Sequence, residues 1–542
     1  MPYPPRLFRH CTVALAIISV AATMTSCSIV IKKKASGPVT YYVSRSGNDA
    51  ASGTSPTTAW QTLSRVNSAA IAPGAKVLFH GGERFNGRLK LGKQDAGNAS
   101  NPVTIGSYGT GTATIHAPGG TGITVFDTAG VDIHGLKLVG SGKTGSGIGV
   151  YSDMPAGKRL RHIFISDVQV HGFRNGISIG GLNAAAGFAD IKITDSTSYR
   201  NVDSGLLLFG PAFDAKSPTY ANEDVLISRM VARDNLGDPA KRASDSGNGI
   251  VLGSVSQGSI TWSTAKGNGG KGNAGQEGAG IWAYDSAGVT ITHNLSYGNK
   301  TKNRIDGDGF DLDENTSDCV LENNLSYGND GAGFLVYSPL DNAAENGDVI
   351  RNNISSNDVR DGSSGYGGIT ATGYVSDLAV YQNTVVAATS SPALRIGSEL
   401  QRVIIANNIF TTQSGPIFKA SDSLGSDAVT FRGNDYYSTG TWKGLWGAQS
   451  YRSFPSWQAA ASQEMRNGQS TGHALAPRLA GPILGLAAES PTDTAVLRGF
   501  QLASGSPLSG AGLDLATLGL SAGSVNFLGH TQAVPHPNIG AL

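Results

Sequence analysis

The sequence Asn294-Leu-Ser-Tyr-Gly-Asn299 recurs unchanged as Asn324-Leu-Ser-Tyr-Gly-Asn329, so the chain repeats itself after 30 residues (324 − 294 = 30). Asparagine recurs at the phase of Asn294 in four later units, at Asn353, Asn383, Asn408 and Asn434. A short unit that recurs at a nearly fixed period cannot bury a core alone and does so by stacking on its neighbours. The repeat therefore predicts a solenoid.

A second run in each unit indicates that the stacked elements are strands. It follows a Gly-rich turn, and its alternate residues are apolar, as in the pairs Ile281/Ala283, Phe310/Leu312 and Phe334/Val336. Period-two alternation puts these side chains on one face of a strand, and stacked copies then form a parallel sheet. A propeller blade needs four strands and a longer unit. We therefore predict an all-β solenoid, a right-handed parallel β-helix, whose repeated asparagines hydrogen-bond along the axis.

The composition fits a chain of many turns and argues against one class of partner. Of 542 residues, 74 are Gly, which tolerates the positive φ of tight turns. Charged residues make up 15% and the formal net charge is +1, whereas an average protein has roughly 25% charged residues. This balance does not indicate a nucleic acid held by bulk electrostatics. We expect a monomer.

The first residues predict export and a lipid anchor. Arg6 and Arg9 precede an apolar run, residues 11–22, that is too short for an ordinary membrane helix, so residues 1–26 are predicted to be a signal peptide. The sequence before Cys27, Met24-Thr-Ser, resembles the end of a bacterial lipoprotein signal. This resemblance implies cleavage before Cys27 and lipidation of Cys27.

Residues 27–38 would then be a lipidated tether, and the protein would be anchored in the bacterial cell envelope, in the periplasm or at the cell surface. The alternative is a secreted protein in which Cys27 has no role. The other remaining cysteine, Cys319, precedes a strand, and we expect a small buried side chain rather than a nucleophile.

The rest of the chain is predicted to form an N-terminal opening segment and cap (39–88), β-helix coils (89–437) and a C-terminal cap and tail (438–542). Trp60, Leu63 and Val66 are spaced like one face of a short helix that would cover the open end of the coils. The stretch that ends in this helix, residues 41–63, resembles the opening segment of bacterial β-helix polysaccharidases of the pectate-lyase-like superfamily. The resemblance implies an architecture and no catalytic residue.

A second helix is predicted near the end of the coils. The sequence from Phe454 is rich in Ala and Gln, and we expect Ser456 to cap the helix at its N-terminus and Gly468 to stop it.

The polar face of the second run predicts a glycan-binding groove over residues 207–395. The residues that alternate there with the apolar set include Trp282, Tyr284, Asp311, Asp313, Tyr337 and Arg395. Neighbouring strands lie about 4.8 Å apart and alternate residues of one strand about 6.6 Å apart, so rings and carboxylates share one patch. Sugar rings stack on aromatic faces, and polar groups suit their hydroxyls. Alternatively, the aromatic residues form a small secondary core under a loop.

Three interpretations of the acidic residues near this patch remain open. In the first, Asp306, Asp308 and Asp330 bind Ca²⁺, which takes several carboxylate oxygens. The sequence Asp306-Gly-Asp308-Gly resembles the acidic calcium site of certain β-helix pectate lyases. This resemblance implies an anionic polysaccharide from which a Lys or Arg removes the C5 proton.

The sequence departs from those lyases at the position of the base. The strand after Asp330, residues 333–337, contains no basic residue, so Lys302, Arg304 or Arg395 would have to serve instead.

In the second interpretation, Asp311 and Asp313 are the acid and base of a glycoside hydrolase. Their backbone separation of about 6.6 Å lies near the lower edge of the range for inverting enzymes, about 6.5–9.5 Å. In the third, the acidic residues are structural or bind sugar without turnover. We favour a polysaccharide lyase that acts on an acidic glycan. A glycoside hydrolase is the second choice, and a non-catalytic glycan-binding or adhesin solenoid is the alternative of another class.

Overall fold

The computed structural model describes residues 38–542 except residues 96, 143, 184, 243, 273–277, 363–364, 388–389, 423, 522 and 524. The predicted signal peptide, all but the last residue of the tether, and Cys27 lie outside the described residues. The described chain divides into two compact units, the first ending at Gly258 and the second beginning at Ser259. No helix in the described part of the chain is long and apolar enough to cross a membrane.

The first unit consists of short strands that pair in parallel from one coil to the next. In β10 and β12, for example, Ile163 faces Ile191 and Ile165 faces Ile193. The strands β1 to β17 are Thr40–Val43, Lys76–His80, Arg84–Asn86, Leu89–Leu91, Val103–Tyr108, Ala113–His116, Ile123–Phe126, Val131–Val139, Ser146–Ser152, Arg159–His171, Asn175–Gly181, Gly187–Thr194, Thr197–Tyr199, Ser204–Phe209, Asn222–Ser228, Val231–Arg233 and Asn248–Gly253.

The helix predicted near Trp60 is confirmed in a shortened form. Helix α1 comprises Leu63–Ser68, begins after the N-cap Thr62, and buries Leu63 and Val66. Trp60 lies before the helix and is buried with its ring stacked on Tyr41 at 4.5 Å. One-turn 3-10 helices occur at Pro56–Thr58 and Lys93–Asp95.

The second unit contains coils of the same type and a C-terminal segment. Strand β18, Val255–Thr261, contains the boundary. Strands β19 to β41 are Thr264–Lys266, Ile281–Tyr284, Ala287–Thr292, Leu295–Tyr297, Phe310–Asp313, Val320–Glu322, Leu325–Tyr327, Phe334–Ser338, Val349–Arg351, Ile354–Ser356, Ile369–Gly373, Ala379–Tyr381, Thr384–Ala387, Leu394–Ile396, Val403–Ala406, Ile409–Thr412, Phe418–Ala420, Val429–Arg432, Asp435–Ser438, Gly444–Trp446, Gln449–Tyr451, Met465–Arg466 and Gln469–Ser470.

One sheet of the second unit carries the predicted groove, and we call it the groove sheet. It consists of β20, β23, β26, β29, β32, β35 and β38, which pair in parallel in that order. The predicted inward set is confirmed, because Phe310, Leu312, Phe334 and Val336 have no exposed surface. The rings of Phe310 and Phe334 stack at 5.0 Å with an interplanar angle of 6°. The alternating pattern therefore gave the correct register.

The predicted asparagine ladder is also confirmed. Each side-chain amide from Asn294 to Asn408 donates to the Oδ1 of the asparagine one coil further on, over 2.8–3.2 Å. The last amide, that of Asn434, donates to Glu464 Oε1 at 2.7 Å. The residue before each rung has φ between 51° and 70°, at His293, Asn323, Asn352, Gln382, Asn407 and Gly433.

A second ladder lies at the other end of the short strands β19, β22, β25 and β28. Asn268, Asn299 and Asn329 donate in turn along it, over 2.8–3.0 Å, and the acceptor of Asn329 is Asp358 Oδ1. Both ladders therefore end on a carboxyl group. A carboxylate has only acceptors and closes a chain of amide donors.

The C-terminal segment packs back on the coils of the second unit. Leu497, Phe500 and Phe527 pack with Leu295 and Leu325 in one apolar cluster. The segment also includes α3, Thr494–Leu497, and 3-10 helices at Arg498–Phe500 and Leu515–Leu518.

The second predicted helix is present, but its predicted ends are wrong. Helix α2 comprises Phe454–Ala461, and its N-cap is Ser453 rather than Ser456. Pro455 lies in the first turn, where proline is favoured, so the helix begins earlier than expected. It ends at Ala461, and its C-cap Ser462, six residues before the predicted stop at Gly468, is in the left-handed conformation.

Candidate functional site

Two carboxylates lie side by side on the outward face of the groove sheet. Strand β23 places Phe310 and Leu312 in the core, so Asp311 and Asp313 face the other way. Each is only 5% exposed. The structure thus confirms the predicted face, while the surroundings leave the two carboxylates far less accessible than a flat sheet would.

Aromatic residues flank both carboxylates in the neighbouring strands. Trp282 pairs with Asp311 in register on one side, and Tyr337 pairs with Asp313 on the other. Trp282 is 8% exposed and Tyr337 is 9% exposed. The rings of Trp282 and Tyr284 lie 5.2 Å apart. The structure therefore brings together four of the predicted groove residues with Tyr284 at their margin.

A loop residue that the sequence did not point out covers part of this patch. Tyr366 packs with Leu335, Tyr337 and Val359 in a small apolar cluster. The alternative of a secondary core under a loop is therefore correct for Tyr337. The only signal for Tyr366 in the sequence is an aromatic residue in a Gly- and Ser-rich loop, which does not reveal what the ring contacts.

The acidic turn before β23 lies against the same loop. The backbone N–H of Asp306 donates to the Tyr366 hydroxyl oxygen at 3.1 Å, and Asp306 Oδ1 lies 3.4 Å from that oxygen. Asp308 has no exposed surface, and its Oδ1 accepts the backbone N–H of Ala332. A Cβ at Gly331 would lie 2.3 Å from Asp308 Oδ1. The turn is thus held by specific contacts that require glycine at position 331.

The third predicted metal ligand, Asp330, binds the backbone of the loop before β23. Its Oδ2 accepts from the Thr301 N–H at 3.3 Å. Burial, and next the negative charge of Asp361, raise the pKa of Asp330 above its ordinary value.

No group of three or more His, Cys, Asp or Glu side chains that could hold a metal ion is found among the described residues. The Asp306, Asp308 and Asp330 carboxylates have protein contacts of their own. The calcium site stays a prediction.

The predicted basic residues lie in different surroundings. Lys302 and Arg304 are exposed on the loop before the acidic turn. Arg395 is 7% exposed, and its guanidinium donates to the carbonyl oxygens of Ile396 and Lys419 and to Ser421 Oγ. Its backbone lies three strands from Asp311 along the groove sheet, about 14 Å away.

Lys419 is a further basic residue on this face, and no pattern in the sequence pointed to it. It pairs with Arg395 in register. Burial, and next the charge of Arg395, lower the pKa of Lys419. A lysine with a lowered pKa can accept a proton at lower pH than an ordinary lysine.

The comparisons with known proteins agree with this architecture. A family model described as a right-handed beta helix region matches residues 240–385. The crystal structure of the GH136 lacto-N-biosidase from Eubacterium ramulus is 16% identical with a TM-score of 0.50, and the match covers 70% of this chain and 65% of that chain. The chain therefore has the fold of a right-handed parallel β-helix.

One curated relative matches over a short segment at higher identity. It is the lacto-N-biosidase of Bifidobacterium longum subsp. longum, 44% identical over 77 residues, which is 14% of this chain and 5% of that protein. A third similar protein, XylC in complex with xylose, is 11% identical with a TM-score of 0.46 over 82% of this chain and 88% of that chain. The chain thus spans just under two thirds of the Eubacterium structure and only a small part of the Bifidobacterium enzyme.

Proposed function

We propose that this protein cleaves glycans and that it is a glycoside hydrolase whose two carboxylic residues are Asp311 and Asp313. The observation that carries the proposal is their placement on one strand face, with Trp282 of the neighbouring strand in register with Asp311. An apolar ring beside a carboxylate is suited to hold a sugar and act on its linkage. The 44% identity to a lacto-N-biosidase over 77 residues supports the same class.

The chemistry needs only these two groups and water. One carboxylic acid protonates the glycosidic oxygen as the bond between that oxygen and the anomeric carbon breaks. The other carboxylate takes a proton from the water whose oxygen adds to the anomeric carbon. The low exposure of both residues favours a site that excludes bulk water and strengthens these interactions.

A polysaccharide lyase remains the second candidate, because Lys419 and Arg395 are neighbours on the same face. In β-elimination, Lys419 would take the C5 proton of a uronate, the bond between C4 and the glycosidic oxygen would break, and that oxygen would take up a proton from water. Together with burial, Arg395 would act by lowering the pKa of Lys419. Lys419 lies four strands from Asp311, about 19 Å away, so this reaction would occupy another part of the groove sheet. The favoured lyase of the sequence analysis therefore becomes the less supported candidate.

The products distinguish the candidates. Purified protein is incubated with a panel that contains acidic polysaccharides, neutral oligosaccharides and the p-nitrophenyl lacto-N-bioside. We expect new reducing ends without the ultraviolet absorbance of an unsaturated uronate. That absorbance would identify a lyase, and binding without either product would identify a glycan-binding solenoid.

Trp282 provides a matched test of the binding surface. Trp282→Ala should raise KM for the cleaved glycan, because the ring lies beside Asp311. Trp262→Ala is the control, since Trp262 is 37% exposed and does not belong to the groove sheet. Its ring stacks on that of His293, with the centroids 4.6 Å apart. Equal effects of the two substitutions on KM would rule out a specific role for Trp282.

Two further expectations from the sequence remain proposals. Calorimetric titration with Ca²⁺, and thermal melts with and without chelator, test the predicted ligands Asp306, Asp308 and Asp330. Fractionation of cells that express the Cys27→Ala variant tests the lipid anchor, because a lipoprotein should move from the membrane to the soluble fraction.

A further inference from the structure

Two buried carboxyl groups hold the turn that follows Asp313. Glu345 and Asp348 lie in the loop between β26 and β27, and neither has exposed surface. Glu345 Oε2 accepts the backbone N–H of Thr316 at 2.8 Å, and Asp348 Oδ1 accepts that of Cys319 at 2.7 Å. Thr316 and Cys319 belong to the turn, residues 314–319, that connects β23 to β24.

The two carboxyl groups also meet at one hydroxyl group. Thr316 Oγ1 lies 2.7 Å from Glu345 Oε1 and 2.7 Å from Asp348 Oδ2. A hydroxyl group has one proton and can donate to only one of these oxygens. The Thr316 hydroxyl therefore donates to one carboxyl oxygen. The contact with the second carboxyl is favourable only if that carboxyl is protonated and donates either to the Thr316 oxygen or to the first carboxyl.

We propose that Glu345 and Asp348 share one proton and act together as positioning residues for Asp313, so that the loss of this proton loosens the turn behind it. In this state the pair carries one negative charge. The part of this inference that concerns catalysis rests on the proposed hydrolase, whereas the sharing of a proton does not.

The charges that face the pair favour retention of the proton. Asp313 acts on Glu345, and Asp318 acts on Asp348, both with negative charge. Cys319 adds a thiol whose pKa is raised well above its ordinary value by burial and then by the Asp348 charge. The next coil contacts the pair through the Ser376 N–H, which donates to the Glu345 carbonyl oxygen at 3.0 Å. In the described chain no salt bridge joins either carboxyl to a cation.

The pKa values have the direction that the geometry requires. Burial, and next the neighbouring Asp348, raise the pKa of Glu345 well above its ordinary value. Burial raises the pKa of Asp348 to about 6. For an acid whose pKa is raised in the folded state, the stabilising contribution is complete below the unfolded pKa and is lost as the pH rises through the folded pKa. Stability should therefore fall as the pH rises through about 6, where the pair goes from two protons to one. It should fall again at higher pH, where the remaining, shared proton leaves Glu345, the group whose pKa is raised further.

Glu345→Gln tests whether a proton is shared. The amide keeps an oxygen for the Thr316 N–H and offers a permanent N–H in place of the shared proton. The urea midpoints of wild type and variant should coincide near pH 5 and separate towards pH 8, where the wild type becomes less stable than the variant. Glu399→Gln is the control, since Glu399 is an exposed glutamate of the same unit. A constant difference between Glu345→Gln and wild type at every pH would overturn the proposal.

Infrared spectroscopy gives a second measurement that does not depend on activity. The difference spectrum of wild type minus Glu345→Gln at neutral pH should contain the C=O band of a protonated carboxyl group. A difference spectrum with only carboxylate bands would show that both groups are ionised, and the proposal would be wrong even if the variant is unstable.

The pH profile tests the positioning role. In an active enzyme, Glu345→Gln should move the alkaline fall of kcat to higher pH by at least half a pH unit and leave kcat at the optimum within about twofold. A purely structural role would lower kcat equally at every pH and would contradict positioning. If the wild type cleaves no glycan, the proposed hydrolase fails, and the stability and infrared results still decide whether the proton is shared.

Discussion

Asp358→Asn should stabilise the protein above pH 6 and have little effect near pH 4. Asp358 occupies the last rung of the second ladder, where its Oδ1 accepts from the Asn329 amide at 2.8 Å and its Oδ2 from Ser355 Oγ at 2.7 Å. The preceding rung has the same arrangement with an amide, because Asn329 donates to Ser326 Oγ at 3.0 Å. An asparagine at position 358 can therefore make the same two contacts without a charge.

The magnitude follows from the cost of ionising a buried carboxyl. Burial raises the pKa of Asp358 from the ordinary value of 3.8 to about 6. The contribution of such a group is complete below the unfolded pKa and is lost as the pH rises through about 6. The shift of about two units corresponds to about 3 kcal/mol at about 1.4 kcal/mol per unit. Because the folded protein relaxes around a new side chain, we expect a gain of about 1–3 kcal/mol at pH 8.

Urea unfolding followed by tryptophan fluorescence measures the gain at about pH 4 and at pH 8. Asp427→Asn makes the same chemical change at an exposed position of the same unit and serves as the control. A lower free energy of unfolding for Asp358→Asn than for wild type at pH 8, or the same difference at both pH values, would show that ionisation of this buried carboxyl does not cost stability.

Three other substitutions test the core, the first ladder and the acidic turn. Phe310→Ala should lower the free energy of unfolding by about 3–5 kcal/mol, because its buried ring stacks on Phe334 at 5.0 Å; a loss under about 1 kcal/mol in urea unfolding would contradict the register. Glu464→Gln should destabilise by about 1–3 kcal/mol. Glu464 Oε1 accepts from the Asn434 amide, and Glu464 Oε2 accepts from the Gly433 N–H at 2.6 Å and from Thr471 Oγ1 at 2.9 Å. In the glutamine variant, the NH₂ group that replaces one of these oxygens would face hydrogen-bond donors. An unchanged urea midpoint would show that the carboxylate is not required. Gly331→Ala should reduce glycan cleavage about tenfold or more, because the new Cβ would lie 2.3 Å from Asp308 Oδ1, whereas Gly425→Ala, with open space around its Cβ, should leave the rate unchanged.

The sequence was sufficient to predict the coils, because the two signals that indicate them, apolar alternation and recurring asparagine, are local and repeat along the chain. Alternation placed Phe310 and Leu312 inside and Asp311 and Asp313 outside, and the recurring asparagines marked the ladder that the structure contains. Helix α2 shows the limit of local signals. Two serines could cap it, and the choice of Ser453 depends on the burial of Phe454 and Trp457 against the last coils.

Only those features of the site that depend on the alternation and pairing of the strands could be predicted from the sequence. The pairing of Trp282 with Asp311 follows from the repeat. The contacts of Tyr366 with the acidic turn, and of Glu345 and Asp348 with Thr316, come from loops of later coils. The position of a residue in a loop sequence does not show which coil its side chain contacts, so these contacts could not be predicted. Arg395 was expected in the binding surface because of its place on the strand face. Alternation gives that face, but it does not show that the guanidinium donates to backbone carbonyls of its own and the next strand.

The most direct test of the proposed hydrolase is the rate at which the purified protein and its Asp311→Asn and Asp313→Asn variants release reducing ends from a cleaved glycan. Loss of a catalytic acid or base lowers a rate by about 10²–10⁴-fold. We predict such a loss of kcat in both variants, with wild-type folding by circular dichroism and a wild-type rate for Asp427→Asn, which changes an exposed carboxylate. Wild-type rates for Asp311→Asn and Asp313→Asn would contradict the assignment of these two carboxylates.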